Sequence, residues 1–210
     1  MTIHNLPIQV APAPVVQRSP EWFAQRIGKF TGSQFSSLMA GENTETYQAY
    51  LREKAWERLT GKAVQGYVND AMQHGIDTEP QARAYYEFVT DTVVEEVGFL
   101  VHPDYPYLGV SPDGLVGSDG LLEIKCPQPK THIEYLASKK LPAKYKAQVQ
   151  GQLMVARRDW CDFVSFHPDS EYQSIVRVHA DDKYIQQLID RAKIADEAVE
   201  ELIKQIKGAA

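Results

Sequence analysis

The stretch Gly109-Val-Ser-Pro-Asp113-Gly-Leu-Val-Gly117-Ser-Asp-Gly120-Leu-Leu-Glu123-Ile-Lys125-Cys-Pro127 decides the fold. Apolar segments at 114–116 and 121–125 flank Gly117-Ser-Asp-Gly120, a turn composition, so the stretch reads as a β-hairpin. Successive strand residues face opposite sides. Glu123 and Lys125 therefore share one face, and Ile124 enters the layer behind. With residues 117–120 as the loop, Val116 lies opposite Leu121 and Asp113 falls close to Glu123 across the ladder. Two carboxylates and an ammonium then meet at one place on a sheet.

Upstream of the hairpin the period is helical. Ser19-Pro20-Glu21 supplies a cap, a first-turn proline and an early acid, and predicts a helix to about residue 27. Gly28 stops it, and Thr31 or Ser33 caps a short helix to Met39. Residues 43–59 place Tyr47, Tyr50, Leu51, Ala55, Trp56 and Leu59 on one helical face, with Gly61 as the stop. A further helix is predicted over 79–89. Strands are predicted at 93–97, 99–102, 107–111, 114–116 and 121–125, then helices at 133–138 and 144–155. Strands at 162–167 and 174–179 and an amphipathic helix over 181–207 close the chain. This order describes a single α/β domain over 19–210, a central mixed sheet flanked by helices with an N-terminal helical portion. Residues 1–18, proline-bearing and without an apolar block long enough for a signal peptide, read as a partly ordered arm.

A length of 210 residues suits one domain, and 43% hydrophobic with 24% charged residues is ordinary for a globular chain. No run of about 18 apolar residues exists, which excludes a helical membrane span. Cys126 and Cys161, with no secretion signal, point to a reducing compartment and are too few for a four-cysteine metal site. The six histidines lack close ligand spacing, so a metal is expected on oxygen. The net charge of −6 hides a polarised distribution. Residues 70–123 hold eleven acids against Arg83 alone, whereas 125–158 hold eight bases against Glu134 alone. Such neighbouring blocks are either solvated faces or a cation-holding site beside a phosphate-tracking surface.

The hairpin chemistry suits phosphodiester hydrolysis. A hard divalent cation takes carboxylate, carbonyl and water oxygens, lowers the pKa of a bound water and steadies the leaving oxygen. Asp113 and Glu123 are the candidate ligands, Ile124 offers its carbonyl, and Lys125 is placed to orient the water and offset developing charge. A surface hairpin with an ordinary Glu–Lys pair is the competing interpretation of the same residues.

Pro112-Asp113 followed by Glu123-x-Lys125 resembles the PD-(D/E)xK nuclease superfamily, and more closely the lambda-type exonucleases of phage recombination, the YqaJ-type viral recombinases. The resemblance runs from about Ser19 to Pro168. Its motifs, in order, are Glu21-Trp22 with Arg26 and Thr31-x-Ser33; Gly75-x-x-x-Glu79 with Ala82; Gly109-x-Ser111-Pro-Asp-Gly114; Leu122-Glu-Ile-Lys-Cys-Pro127; and Tyr145-x-x-Gln148-Val-Gln150. It implies a restriction-endonuclease-like core, with catalytic Glu79, Asp113, Glu123, Lys125 and Gln148, and with Mg²⁺, or Mn²⁺ in its place, on Asp113, Glu123, Glu79 and the Ile124 carbonyl. It implies a 5′-phosphate pocket of Arg26, Ser33 and Ser111, a guanidinium fork with two hydroxyls that suits a phosphate monoester. Tyr145 with Lys139, Lys140, Lys144 and Lys146 would line the DNA path.

The implied activity is a 5′-to-3′ exonuclease on linear double-stranded DNA that leaves a 3′ single strand for a single-strand annealing protein. The implied assembly is a homotrimeric ring, in the cytoplasm of a bacterial host and encoded by a phage or prophage. An endonuclease of restriction or repair type, and a catalytically inactive DNA-binding module, remain alternatives. The Arg26, Ser33 and Ser111 set discriminates, because an internal cutter has no need of it.

Overall fold

The computed structural model describes residues 15–64 and 70–209, so most of the expected arm lies outside the described residues. Helix α1 (Pro20–Arg26) starts as its sequence dictates: Ser19 Oγ accepts from the Trp22 N–H at 3.2 Å, and Pro20 occupies the first turn. Strand β1 (Phe30–Thr31) follows, then a 3-10 turn and helix α2 (Phe35–Leu38). Helix α3 (Glu45–Thr60) is capped by Thr44 and ended by Gly61 in the left-handed conformation. Its inner face holds Tyr47, Tyr50, Leu51 and Ala55 as expected, but Trp56 is exposed. Lys54 and Glu57 are buried in its stead, paired at 2.8 Å, because they continue the helical line from Tyr47 and Tyr50.

Two sheets form where one was expected. A three-stranded sheet has β4 (Leu108–Val110) between β1 and β3 (Leu100–Val101). The larger, mixed sheet runs β2 (Val94–Glu95), β5 (Gly114–Val116), β6 (Gly120–Lys125), β7 (Trp160–Ser165), β8 (Ser174–His179). Strands β6 and β7 are parallel, joined through helices α5 (Pro129–Ser138) and α6 (Lys146–Ala156), and the other pairs are antiparallel. Both faces of β6 are covered, which is why its apolar residues run almost without a break. Leu122 and Ile124 pack with Ala82 and Tyr86 of helix α4 (Asp70–Thr90). Leu121 instead packs with Phe163 and with Val149 and Leu153 of α6.

A third apolar cluster joins α2, α3, β4 and α6 to the closing helix α7 (Asp182–Gly208) through Leu188, Ala192, Ala195, Val199 and Ile203. These recur every three or four residues. Helix α6 lies at the centre and is buried nearly all round. At Gly151 a Cβ would lie 2.1 Å from the Phe35 ring, so only glycine lets α2 approach so closely.

Two further differences from the sequence reading bear on the site. Helix α4 is described from Asp70 and runs through Pro80, which the sequence places in a first turn. Burial of Thr78, Ala82 and Tyr86 on successive turns holds the helix together across the proline. In the hairpin Val116 faces Gly120, not Leu121, so the loop is residues 117–119 with Gly117 at φ +56°. Continuing that register places Asp113 directly opposite Glu123.

Candidate active site

Asp113 stands just before β5, with its N–H donating to the Leu122 carbonyl at 3.0 Å and its Oδ2 accepting from the Ile124 N–H at 2.6 Å. The second bond fixes the carboxylate over β6. Glu123 faces α6 and is 1% exposed. Its Oε1 accepts from Lys125 Nζ and from Gln148 Nε2 at 2.6 Å, and its Oε2 accepts from Gln152 Nε2 at 2.6 Å. Asp113, Glu123, Lys125 and Gln148 are thus brought together. Gln152 was not anticipated, although its signal was available: it follows Gln148 by one helical turn, so both amides face one way. Gln150, between them, instead bonds the His179 carbonyl and the Asp181 N–H.

The charges at this place do not balance. Burial and the neighbouring Glu123 push the Asp113 carboxyl well above its ordinary range, Glu79 adds to the rise, and Lys125 and the Ile124 N–H offset it only in part. Burial alone would lower the Lys125 ammonium, but Glu123 and Asp113 outweigh it and hold the proton on. The Tyr145 ring lies 5.2 Å from Lys125 Nζ, a cation–π contact. The Cys126 thiol is pushed up to about 12, chiefly by burial, and stays protonated near neutral pH.

Glu79 reaches toward this group from α4, but its oxygens are engaged: Oε1 accepts from Arg83 at 2.9 Å and Oε2 from Arg18 at 2.7 Å. Among the described residues no three or more His, Cys, Asp or Glu side chains are gathered as a ready-made metal cage. The donors gathered here are hard oxygen: Asp113 Oδ1, the Ile124 carbonyl, and the Glu123 carboxylate, which already accepts from Lys125, Gln148 and Gln152. A buried and a half-buried acid facing one ammonium suit a cation that also keeps several waters.

A second constellation adjoins the first. Trp22 Nε1 donates to Ser111 Oγ at 2.8 Å, and Arg26 lies 4.1 Å above the Trp22 ring and 5.5 Å from the Phe99 ring. Burial presses the Arg26 pKa down, yet among the described residues no carboxylate pairs with it. Ser33 follows Thr31 by two residues as Ser111 follows Gly109, and Thr31 pairs with Gly109 in parallel register. The two hydroxyl residues therefore leave the same end of the β1–β4 pair. The expected lysines separate: Lys144 lies 5.0 Å from the Tyr145 ring, whereas Lys146 turns to Asp181 at 3.2 Å and to the Tyr184 ring. Lys139 and Lys140 are exposed between α5 and α6.

A mixed sheet flanked by helices, with paired carboxylates and a lysine on adjacent strands, is the restriction-endonuclease-like arrangement. The chain matches the YqaJ-like viral recombinase domain over residues 21–159 and belongs to that family. It resembles the alkaline exonuclease LHK-Exo of Laribacter hongkongensis, with TM-score 0.85 and 39% identity over 91% of this chain and 97% of that one. LHK-Exo in complex with dAMP matches equally well. A phage-related exonuclease from Haemophilus somnus 129PT shares the fold at TM-score 0.69 and 17% identity, covering 85% of this chain and 96% of that one. Protein R354 of Acanthamoeba polyphaga mimivirus is 29% identical over 75% of this chain, which spans 30% of that protein's length.

Proposed function

We propose that this chain is a divalent-cation-dependent exonuclease that enters linear double-stranded DNA at a phosphorylated 5′ end and degrades that strand 5′ to 3′. The observation that carries it is the bond from Trp22 to Ser111. It ties an unpaired, aromatic-stacked Arg26 to a residue two positions before Asp113. A captured end phosphate and a hydrolytic centre then meet on the short connection between β4 and β5. Family membership and the likeness to an alkaline exonuclease support the same reading.

In this reading Asp113, Glu123, the Ile124 carbonyl and Glu79 hold Mg²⁺, with Mn²⁺ as a substitute. The ion supplies a water of lowered pKa and Lewis acidity toward the phosphoryl group. Lys125 orients the attacking water and offsets charge as it develops on the phosphate oxygens. Gln148 and Gln152 hold the Glu123 carboxylate in one orientation. Arg26, with Ser33 and Ser111, binds the 5′ phosphate through a planar fork and hydroxyls. Lys139, Lys140, Lys144 and Tyr145 lie along the DNA path. The product, a 3′ single strand, is the substrate for a single-strand annealing protein, and a ring of three copies would keep the enzyme on its duplex. The setting is the cytoplasm of a bacterial host carrying a phage or prophage. Among the described residues no helix is long and apolar enough to cross a membrane.

Three substrates test the proposal: a 5′-phosphorylated linear duplex, a 5′-hydroxyl duplex and a covalently closed circle, each with Mg²⁺. Rapid loss of the phosphorylated strand alone is expected, with Arg26→Ala slowing phosphorylated ends by at least about tenfold more than hydroxyl ends. Cutting of the closed circle at the linear rate would replace the exonuclease by an endonuclease.

A further inference from the structure

Residues 15–19 do not hang free. Gln17 Nε2 donates to the Val97 carbonyl at 2.8 Å and to the Pro112 carbonyl at 2.9 Å, one residue before Asp113. The Val15 carbonyl lies so near Gly98 that a Cβ there would come within 2.3 Å of it. Immediately after these anchors Arg18 adopts φ +70°, a left-handed backbone that is strained for a non-glycine residue. The strained residue is the one that reaches Glu79, and the chain then enters α1, which carries Trp22 and Arg26.

The two arginines on Glu79 are not equivalent. Arg83 comes from the same helix, is mostly buried, and also pairs with Glu96 at 2.8 Å, so it is pinned from both sides. Arg18 comes from outside the helix, its side chain is 41% exposed, and Glu79 is its one hydrogen-bond partner among the described residues. A guanidinium and a divalent cation at one carboxylate oxygen repel each other. The less anchored cation is the one that leaves.

We propose that Arg18 is a built-in counter-cation, holding Glu79 Oε2 until a divalent cation takes its place, so that cation loading unfastens the segment leading into α1. This rests on the reading of Asp113, Glu123 and Glu79 as cation ligands. Arg83 keeps Glu79 oriented throughout. The segment that lets go is continuous with the one bearing Arg26, so loading of the cation site and preparation of the end-binding pocket are linked by a few residues of chain. Such a link is a competition between two ligands for one carboxylate, and each must weaken the other.

The test is Mn²⁺ binding to the full-length protein without DNA, by titration calorimetry. Arg18→Ala is expected to bind Mn²⁺ about three- to tenfold more tightly than wild type, and Arg18→Lys, which keeps the charge, close to wild type. In a Glu79→Gln background, Arg18→Ala is expected to change nothing. Amide hydrogen exchange over residues 15–19 of the wild type is expected to quicken when Mn²⁺ is added. Equal or weaker Mn²⁺ binding by Arg18→Ala, while Asp113→Asn loses it, overturns this proposal alone and makes Arg18 a clamp. Undiminished binding by Asp113→Asn overturns the cation site itself, and the proposal with it.

Discussion

Two buried acids on neighbouring strands, Glu123 and Asp162, have almost the same burial and opposite surroundings. Leu122 pairs with Asp162 and Glu123 with Phe163, so the two acids are offset by one residue and point to opposite faces of the sheet. Asp162, 2% exposed, is closed: Arg177 grips both its oxygens at 2.9 and 2.8 Å, and Tyr86 donates to it at 2.8 Å. One carboxylate meets one guanidinium, and the charge is balanced. Glu123 shares a single ammonium, Lys125, with Asp113, and its remaining donors are neutral amides. The first arrangement holds β7 and β8 to α4 and has no use for a ligand. The second carries excess negative charge, which is what a cation site requires before its cation arrives.

The largest expected effect that sharpens this contrast is on the open side. Lys125→Ala should lower single-turnover cleavage by about 10³-fold, while gel-shift measurements find DNA still bound in the presence of the cation. Near-normal turnover would show the chemistry to lie elsewhere. On the closed side, Arg177→Met should cost about 2 kcal/mol of stability in urea unfolding, less than a fully buried pair because Arg177 is half exposed. Its cleavage rate per folded molecule should be unchanged. A fall in rate without a fall in stability would move Asp162 into the machinery.

A smaller effect, of opposite sign, belongs to Asp113. Because its carboxyl is pushed up in the folded protein, folding favours the protonated form. The protein is then stabilised at low pH, and that contribution is lost as pH rises from the ordinary carboxylate range through the raised folded value. Asp113→Asn removes the charge, so it should raise the melting temperature in EDTA at pH 8 by about 3 °C while abolishing cleavage. The gap to wild type should close as pH is lowered, and added Mg²⁺ should stabilise wild type alone. A melting temperature for Asp113→Asn below wild type at pH 8 contradicts the imbalance. The smallest effect is expected at Lys146, already occupied by Asp181 and the Tyr184 ring. Lys146→Ala should leave DNA affinity within about twofold, whereas Lys144→Ala, nearer Tyr145, should weaken it and flatten its salt dependence.

The elements of the site were largely legible because each is local. Ser19-Pro20 marks the start of α1, the glycines mark the hairpin turn, and alternation places Glu123 and Lys125 on one face. What escaped depends on partners distant in the chain. Phe30–Thr31 is too short to show a period and becomes a strand only by pairing with Leu108 and Gly109. Pro80 reads locally as a helix start, yet packing against the sheet carries α4 through it. Gln152 looks like any helix glutamine until Glu123 is set beneath it. Lys146 looks like one more member of the basic run until α7 brings Asp181 beside it.

Local sequence was enough to show the chemistry on offer: two acids and a lysine at strand spacing, and a set of arginine and serine residues in motif order. Those follow from side-chain identity and from the two-residue period of a strand, which act over a few residues. Which of those charges are answered depends on the packed fold. Arg177 closes Asp162, Arg18 and Arg83 engage Glu79, and Arg26 forms no ion pair among the described residues, with Glu57 acting on it only from a distance. Electrostatic balance depends on distance and burial, and those are set when segments far apart in the chain are packed together.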